Sequence, residues 1–114
     1  MEKRLKLFPK KIDLYKSSLT HSTCNKINNY EKLEFLGDAV LNCIVSEHLF
    51  KKHKNQDQGF FSKTKSNIVA RKNLNEIGKK IIPTKQIKHN LKTIPRNIYG
   101  NVLEAIIGAI YLDG

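Results

Sequence analysis

The chain has 114 residues, 39% hydrophobic and 27% charged, enough apolar material for one small domain and too much for a disordered tail. No apolar run approaches the roughly 20 residues that span a bilayer, and the opening residues Met1-Glu2-Lys3-Arg4-Leu5 lead into charge and Pro9, not into a signal stretch. Lys and Arg number 21 against 10 Asp and Glu, a net charge of +11, so the expected partner is a polyanion, nucleic acid first, and the expected localisation is cytoplasmic.

Residues 12–21 read as a short first helix, followed by an Asn- and Ser-containing loop over 22–29. Asn28 or Asn29 is the expected N-cap of a long helix running to about Lys52. Leu33, Leu36, Val40 and Ile44 recur there at helical spacing, and Phe35, Leu41, Cys43 and Val45 widen the apolar surface, which predicts a central helix with neighbours on several sides. Residues 51–59 read as a polar loop. Ser62 is the expected cap of a helix carrying Ile68, Val69 and Ala70, and Asn73 the expected start of another, with Leu74 and Ile77 inward and Gly78 near its end. Pro83 and Pro95 mark 82–96 as an irregular basic loop. The last helix begins near Asn97 and runs through Val102, Leu103, Ile106, Ile107 and Ile110, apolar enough to need cover from a partner subunit or a further helix. Nothing alternates with period two for long, so the expected fold is all-α, a single domain over 1–114.

Eighteen of the 21 basic residues are lysines, the exceptions being Arg4, Arg71 and Arg96. Lysine is a point charge suited to phosphate, so the composition favours backbone recognition over reading of bases. It fits equally a basic protein that binds ribosomes passively. Cys24 and Cys43 are far apart and the four histidines are scattered, which predicts reduced thiols and no zinc site.

Against this charge, Glu31, Glu34 and Asp38 fall within eight residues. At about 100° per residue they lie within roughly 60° of one another on a helix. Asn101 and Glu104 form a similar i, i+3 pair on the last helix. Taken alone, such a stripe is usually a solvated face. If the two apolar helices pack together, however, their acidic edges converge, and oxygen-only donors suit a hard ion, Mg2+ or Mn2+. A hard dication on a phosphate-attracting surface suggests metal-assisted phosphodiester hydrolysis. Gly37, mid-helix at a cost of about 1 kcal/mol relative to Ala, points to close approach by another chain segment or a ligand.

The run Glu31-Lys32-Leu33-Glu34-Phe35-Leu36-Gly37-Asp38-Ala39-Val40-Leu41 resembles the signature of the ribonuclease III family. Leu19-Thr20-His21-Ser22 is similar to the segment that precedes it there, and Leu103-Glu104-Ala105-Ile106-Ile107-Gly108-Ala109-Ile110-Tyr111-Leu112-Asp113 to the family's second acidic motif. Residues 59–78, around Lys65-Ser66-Asn67-Ile68-Val69, match more loosely. The resemblance implies an all-α, homodimeric endonuclease domain that cuts double-stranded RNA with Mg2+, Mn2+ substituting, and leaves 5′-phosphate and 3′-hydroxyl ends with short 3′ overhangs. It implies Glu34, Asp38, Asn101 and Glu104 around the metal, with Asp38, Glu104 and Glu31 as catalytic residues, Glu31 positioning the scissile strand or its water. It implies that Phe35 enters the partner subunit, and that Lys63, Lys65, Arg71 and Lys72 hold RNA phosphates. No membrane and no small-molecule substrate are expected, and the expected role is processing of rRNA, mRNA or tRNA precursors.

Three departures from the family pattern stand out. Asn101 occupies a position where the family usually has Asp, which removes a full negative charge. Gln58 stands where some members carry Glu. The sequence lacks a double-stranded-RNA-binding domain and the family's final nuclease-domain helix, which is expected of a minimal member, a reduced-genome product or a fragment; without that domain, affinity is expected to come from the dimer's own basic channel and to depend strongly on salt. Asn101 and the short C-terminus favour a competing reading, a catalytically weakened RNA-binding or ribosome-associated domain that keeps the fold. The intact set Glu34, Asp38 and Glu104 favours the enzyme.

Overall fold

The computed structural model describes residues 11–114; the opening residues, read above as lacking a signal stretch, lie outside the described residues, as does the start of the expected domain. The described elements are α1 (Ile12–Ser18), α2 (Glu31–Lys52), α3 (Gln58–Ile68), α4 (Arg71–Ile81), a 3-10 turn (Thr84–Gln86) and α5 (Asn97–Asp113). Among the described residues there is no strand, only a lone parallel bridge between Thr20 and Lys88, so the all-α expectation holds. No described helix is long and apolar enough to cross a membrane.

Side-chain hydrogen bonds mark the starts of α2 and α3. The residue that enters α2 is Tyr30, one past the expected Asn28 or Asn29, but Asn29 supports the start: its Oδ1 accepts from the Glu31 amide at 2.9 Å, while its Nδ2 donates to the Asn25 carbonyl. The cap of α3 is Asp57, not Ser62: Asp57 Oδ1 accepts from the Phe60 amide at 2.9 Å, and the helix starts at Gln58 inside the stretch read as a loop. α4 likewise starts at Arg71 and not at Asn73, whose Nδ2 instead donates to the Ile68 carbonyl and ties the end of α3 to the start of α4.

The central helix is α5, not α2. From Ile98 to Ala109 α5 is buried almost without interruption, Val102, Ala105 and Ala109 completely. α2 and α4 give it its most extensive contacts, and α1 closes a third side. In contrast α2 buries only Leu33, Gly37 and Leu49, while Phe35 is 83% exposed and Ile44 57%. Its wide apolar surface therefore has one covered side and one bare side. Ile77, expected inward, is also exposed, whereas Leu74 is buried.

The connection over 82–96 is better anchored than its prolines suggest. Ile82 and Ile87 are core residues. Around the lone bridge, the Lys88 amide donates to the Leu19 carbonyl and the His21 amide to the Lys88 carbonyl, both at 2.8 Å. This fastening holds the chain entering α2 beside the segment leading into α5, the two helices that carry the acidic residues.

Candidate active site

Gly37 decides how closely α2 meets α5. A Cβ on Gly37 would collide with the Glu104 carbonyl, and one on Gly108 with the Leu33 carbonyl. Two bare backbones thus touch, one turn or less from Asp38, Glu34 and Glu104. The close approach expected of Gly37 is realised by a helix of the same chain.

A cleft of about 360 Å³ opens beside this contact, lined by Glu31, Glu34, Phe35, Asp38, Arg71 and Glu104. Acidic edges of two helices far apart in sequence therefore share one cavity. Glu31 and Asp38 are exposed, Glu34 is half-buried, and Glu104 is only 1% exposed. Burial pushes the Glu104 carboxyl up to about 7, reinforced by a hydrogen bond with Asp38 and opposed by Arg71. Glu34 is raised as well, first by burial, then by the Glu31 and Asp38 charges, against the pull of Arg71. Shifts of this kind, driven first by burial, mark a candidate functional site.

Arg71 enters this cleft from the first residue of α4 and donates from Nη2 to Glu104 Oε1 at 2.9 Å. Expected as a phosphate contact, it is also the cation that faces the buried acid. Lys63, Lys65 and Lys72 do not line the cleft; Lys63 and Lys72 are exposed and Lys65 half-buried on the neighbouring α3–α4 surface. Asn101 does not line it either. Its side chain hydrogen-bonds the buried Tyr30, whose hydroxyl burial holds above the usual range. Asn42, which the sequence did not single out, donates from Nδ2 to the Asp38 carbonyl at 2.8 Å and reaches Asp38 Oδ1 at 3.4 Å. Its i, i+4 spacing from Asp38 was the available signal.

Among the described residues no three His, Cys, Asp or Glu side chains are gathered as a ready ion-holding group. The donor chemistry nevertheless suits a hard dication: every acidic side chain of the cleft offers oxygen, and the acids outnumber the single guanidinium. Glu104 is committed to Arg71 in this arrangement, which leaves Glu31, Glu34 and Asp38 as the cleft acids not paired with the guanidinium.

The ribonuclease-III-like family model matches residues 11–114. The chain belongs to the ribonuclease-III-like family. Over 99% of its length it is 40% identical to Ribonuclease 3 of Zunongwangia profunda and, again over 99%, 40% identical to Ribonuclease 3 of Flavobacterium psychrophilum, covering 50% and 49% of those proteins. It thus spans about half the length of these curated relatives. Among solved structures, the nuclease domain of ribonuclease III from Campylobacter jejuni superposes with a TM-score of 0.87 at 34% identity, covering 99% of this chain and 83% of that one. Dicer from Pichia stipitis gives a TM-score of 0.75 at 27% identity over 93% of this chain and 48% of its own. The fold is therefore that of a ribonuclease III nuclease domain, as the signature residues imply.

Proposed function

We propose that this chain is the nuclease domain of a Mg2+-dependent endoribonuclease that hydrolyses double-stranded RNA to 5′-phosphate and 3′-hydroxyl ends in the processing of rRNA, mRNA or tRNA precursors in the cytoplasm. The observation that carries the reading is the convergence of α2 and α5 carboxylates on one cleft in a chain of net charge +11. Family membership and the relatives named Ribonuclease 3 support it.

In this reading Glu34, Asp38 and Glu104 hold the ion, and Asn101, turned toward Tyr30, contributes at most one neutral oxygen. When bound, Mg2+ supplies a Lewis acid for the phosphoryl oxygen and lowers the pKa of an attacking water. Asp38, kept in place by Asn42, and Glu104, fixed by burial, set the position of that charge. Glu31 at the exposed rim orients the scissile strand or its water. Lys63, Lys65 and Lys72 bind phosphates along the α3–α4 surface, and recognition is by duplex shape.

The active form is a homodimer. Phe35 is almost fully exposed on α2, and Val40, Ile44, Ile107, Ile110 and Tyr111 line an apolar hollow of about 550 Å³ between α2 and α5. Exposed apolar surface of this kind marks a protein interface. The nuclease domain of ribonuclease III from Campylobacter jejuni has a region involved in dimer formation, which supports the same arrangement here.

The test is incubation of purified protein with a long RNA duplex at low salt in Mg2+ and in Mn2+. Cleavage is expected in wild type and absent in Asp38→Ala and Glu104→Ala. Duplex binding without cleavage in either metal would favour the weakened RNA-binding domain instead.

A further inference from the structure

Arg71 is built into the cleft more firmly than a surface phosphate contact needs to be. Its guanidinium lies over Gly100 of α5, where a Cβ would stand 2.8 Å from Nη1 and would also collide with Asn75 Oδ1. Asn75 in turn accepts from the Gly100 amide at 3.0 Å, inside the core. Two side chains of α4 thus reach across one glycine of α5, and the outer one ends on Glu104. Its partner is 1% exposed, while the Arg71 side chain is 45% exposed. A buried acid therefore meets a half-open base that has room to withdraw toward solvent.

A buried carboxylate without a counter-ion is strongly disfavoured. Arg71 meets that need for ionised Glu104 in the absence of metal. A dication seated among Glu34, Asp38 and Glu104 would meet it too, but a guanidinium and a dication held against the same carboxylate repel each other. We propose that Arg71 is a positioning residue that acts as a resident counter-ion: it holds Glu104 in place in the metal-free protein and competes with the divalent cation for that carboxylate. This rests on the reading of the acidic cleft as a metal site. It makes metal entry an exchange of one cation for another, with α4 able to govern how tightly the α2–α5 acids bind the ion.

Calorimetric titration of the full chain with Mn2+ alone, without RNA and at one fixed pH, tests the proposal. In Arg71→Gln the dissociation constant for Mn2+ is expected to fall about tenfold, within the usual range of coupling between two sites. The melting temperature in EDTA is expected to fall, and Mn2+ to restore more of it than in wild type. Arg71→Lys keeps a charge but loses the fork-shaped contact, so it is expected to shift the constant in the same direction by less, and it serves if Arg71→Gln does not fold. Unchanged or weaker Mn2+ binding in the variants, with wild type binding normally, overturns the counter-ion role and leaves the metal site intact. Absence of Mn2+ binding in wild type and in both variants overturns the metal site as well.

Discussion

Gly37 and Gly108 face each other where α2 crosses α5, so close that a methyl on either would strike the opposite backbone. The contact does more than pack two helices. It sets the distance between the Glu34–Asp38 edge of one and the Glu104 edge of the other. Overpacking of this kind costs about 1–3 kcal/mol, and here the clash is with backbone carbonyls that cannot turn aside. Gly37→Ala is expected to lower unfolding stability by at least about 2 kcal/mol, read by urea denaturation, and to reduce cleavage more than the remaining folded fraction explains. A variant as stable and as active as wild type would show that the acids do not depend on this contact.

How much of this was legible beforehand differs by feature. The acidic pair of helices, the Gly37 approach and the part Asn29 plays at the start of α2 could be read from the sequence, because spacing and residue type carry them. The prominence of α5 over α2 could not. Both helices are rich in apolar residues, and only the packing shows that Val102, Ala105 and Ala109 are enclosed while Phe35 and Ile44 are bare. Asp57 was hidden within a polar run, where one carboxylate that caps looks like its solvated neighbours. Arg71 looked like another phosphate contact because its partner, Glu104, lies 33 residues away. Asn101 illustrates the same limit: helical spacing puts it near Glu104, but its hydrogen bond runs to Tyr30 on another segment.

The exposed Phe35 separates assembly from folding. With little surface buried within its own chain, Phe35→Ala is expected to leave thermal stability of the monomer within about 0.5 kcal/mol of wild type, the usual range for surface substitutions. Light scattering should nevertheless show a shift from dimer to monomer at micromolar concentration, with cleavage falling in parallel. An unchanged dimer would place the interface elsewhere.

The raised Glu104 pKa makes stability depend on pH in a definite direction. The folded chain keeps a proton on Glu104 up to about pH 7, whereas the unfolded chain releases it near 4.5. Between those values the folded state binds more protons, so metal-free stability falls as pH rises from about 4.5 to about 7, by up to about 3 kcal/mol. Glu34, shifted the same way, adds to the trend. Denaturation in EDTA across this window should show the decline, and Glu104→Gln should flatten it. A rise in stability over the same window in wild type would contradict the assignment.

Asn101 is the position where added charge should be most informative. Asn101→Asp places a further carboxylate beside Tyr30 and one turn from Glu104. It is expected to lower, severalfold, the Mg2+ concentration that gives half-maximal cleavage, and to destabilise the metal-free protein by repulsion from Glu34 and Glu104. Titration of the cleavage rate with Mg2+ reads the first effect. An unaltered Mg2+ requirement would show that residue 101 lies outside the reach of the ion.

The most direct measurement is the anomalous scattering of Mn2+ in crystals of the chain soaked with that ion. The expected result is an anomalous peak in the cleft between α2 and α5, within coordinating distance of oxygens from Glu34, Asp38 and Glu104, that disappears in Asp38→Ala. A cleft open to solvent but empty of Mn2+, or an ion bound only elsewhere, would contradict the claim that carboxylates from these two helices hold the catalytic metal.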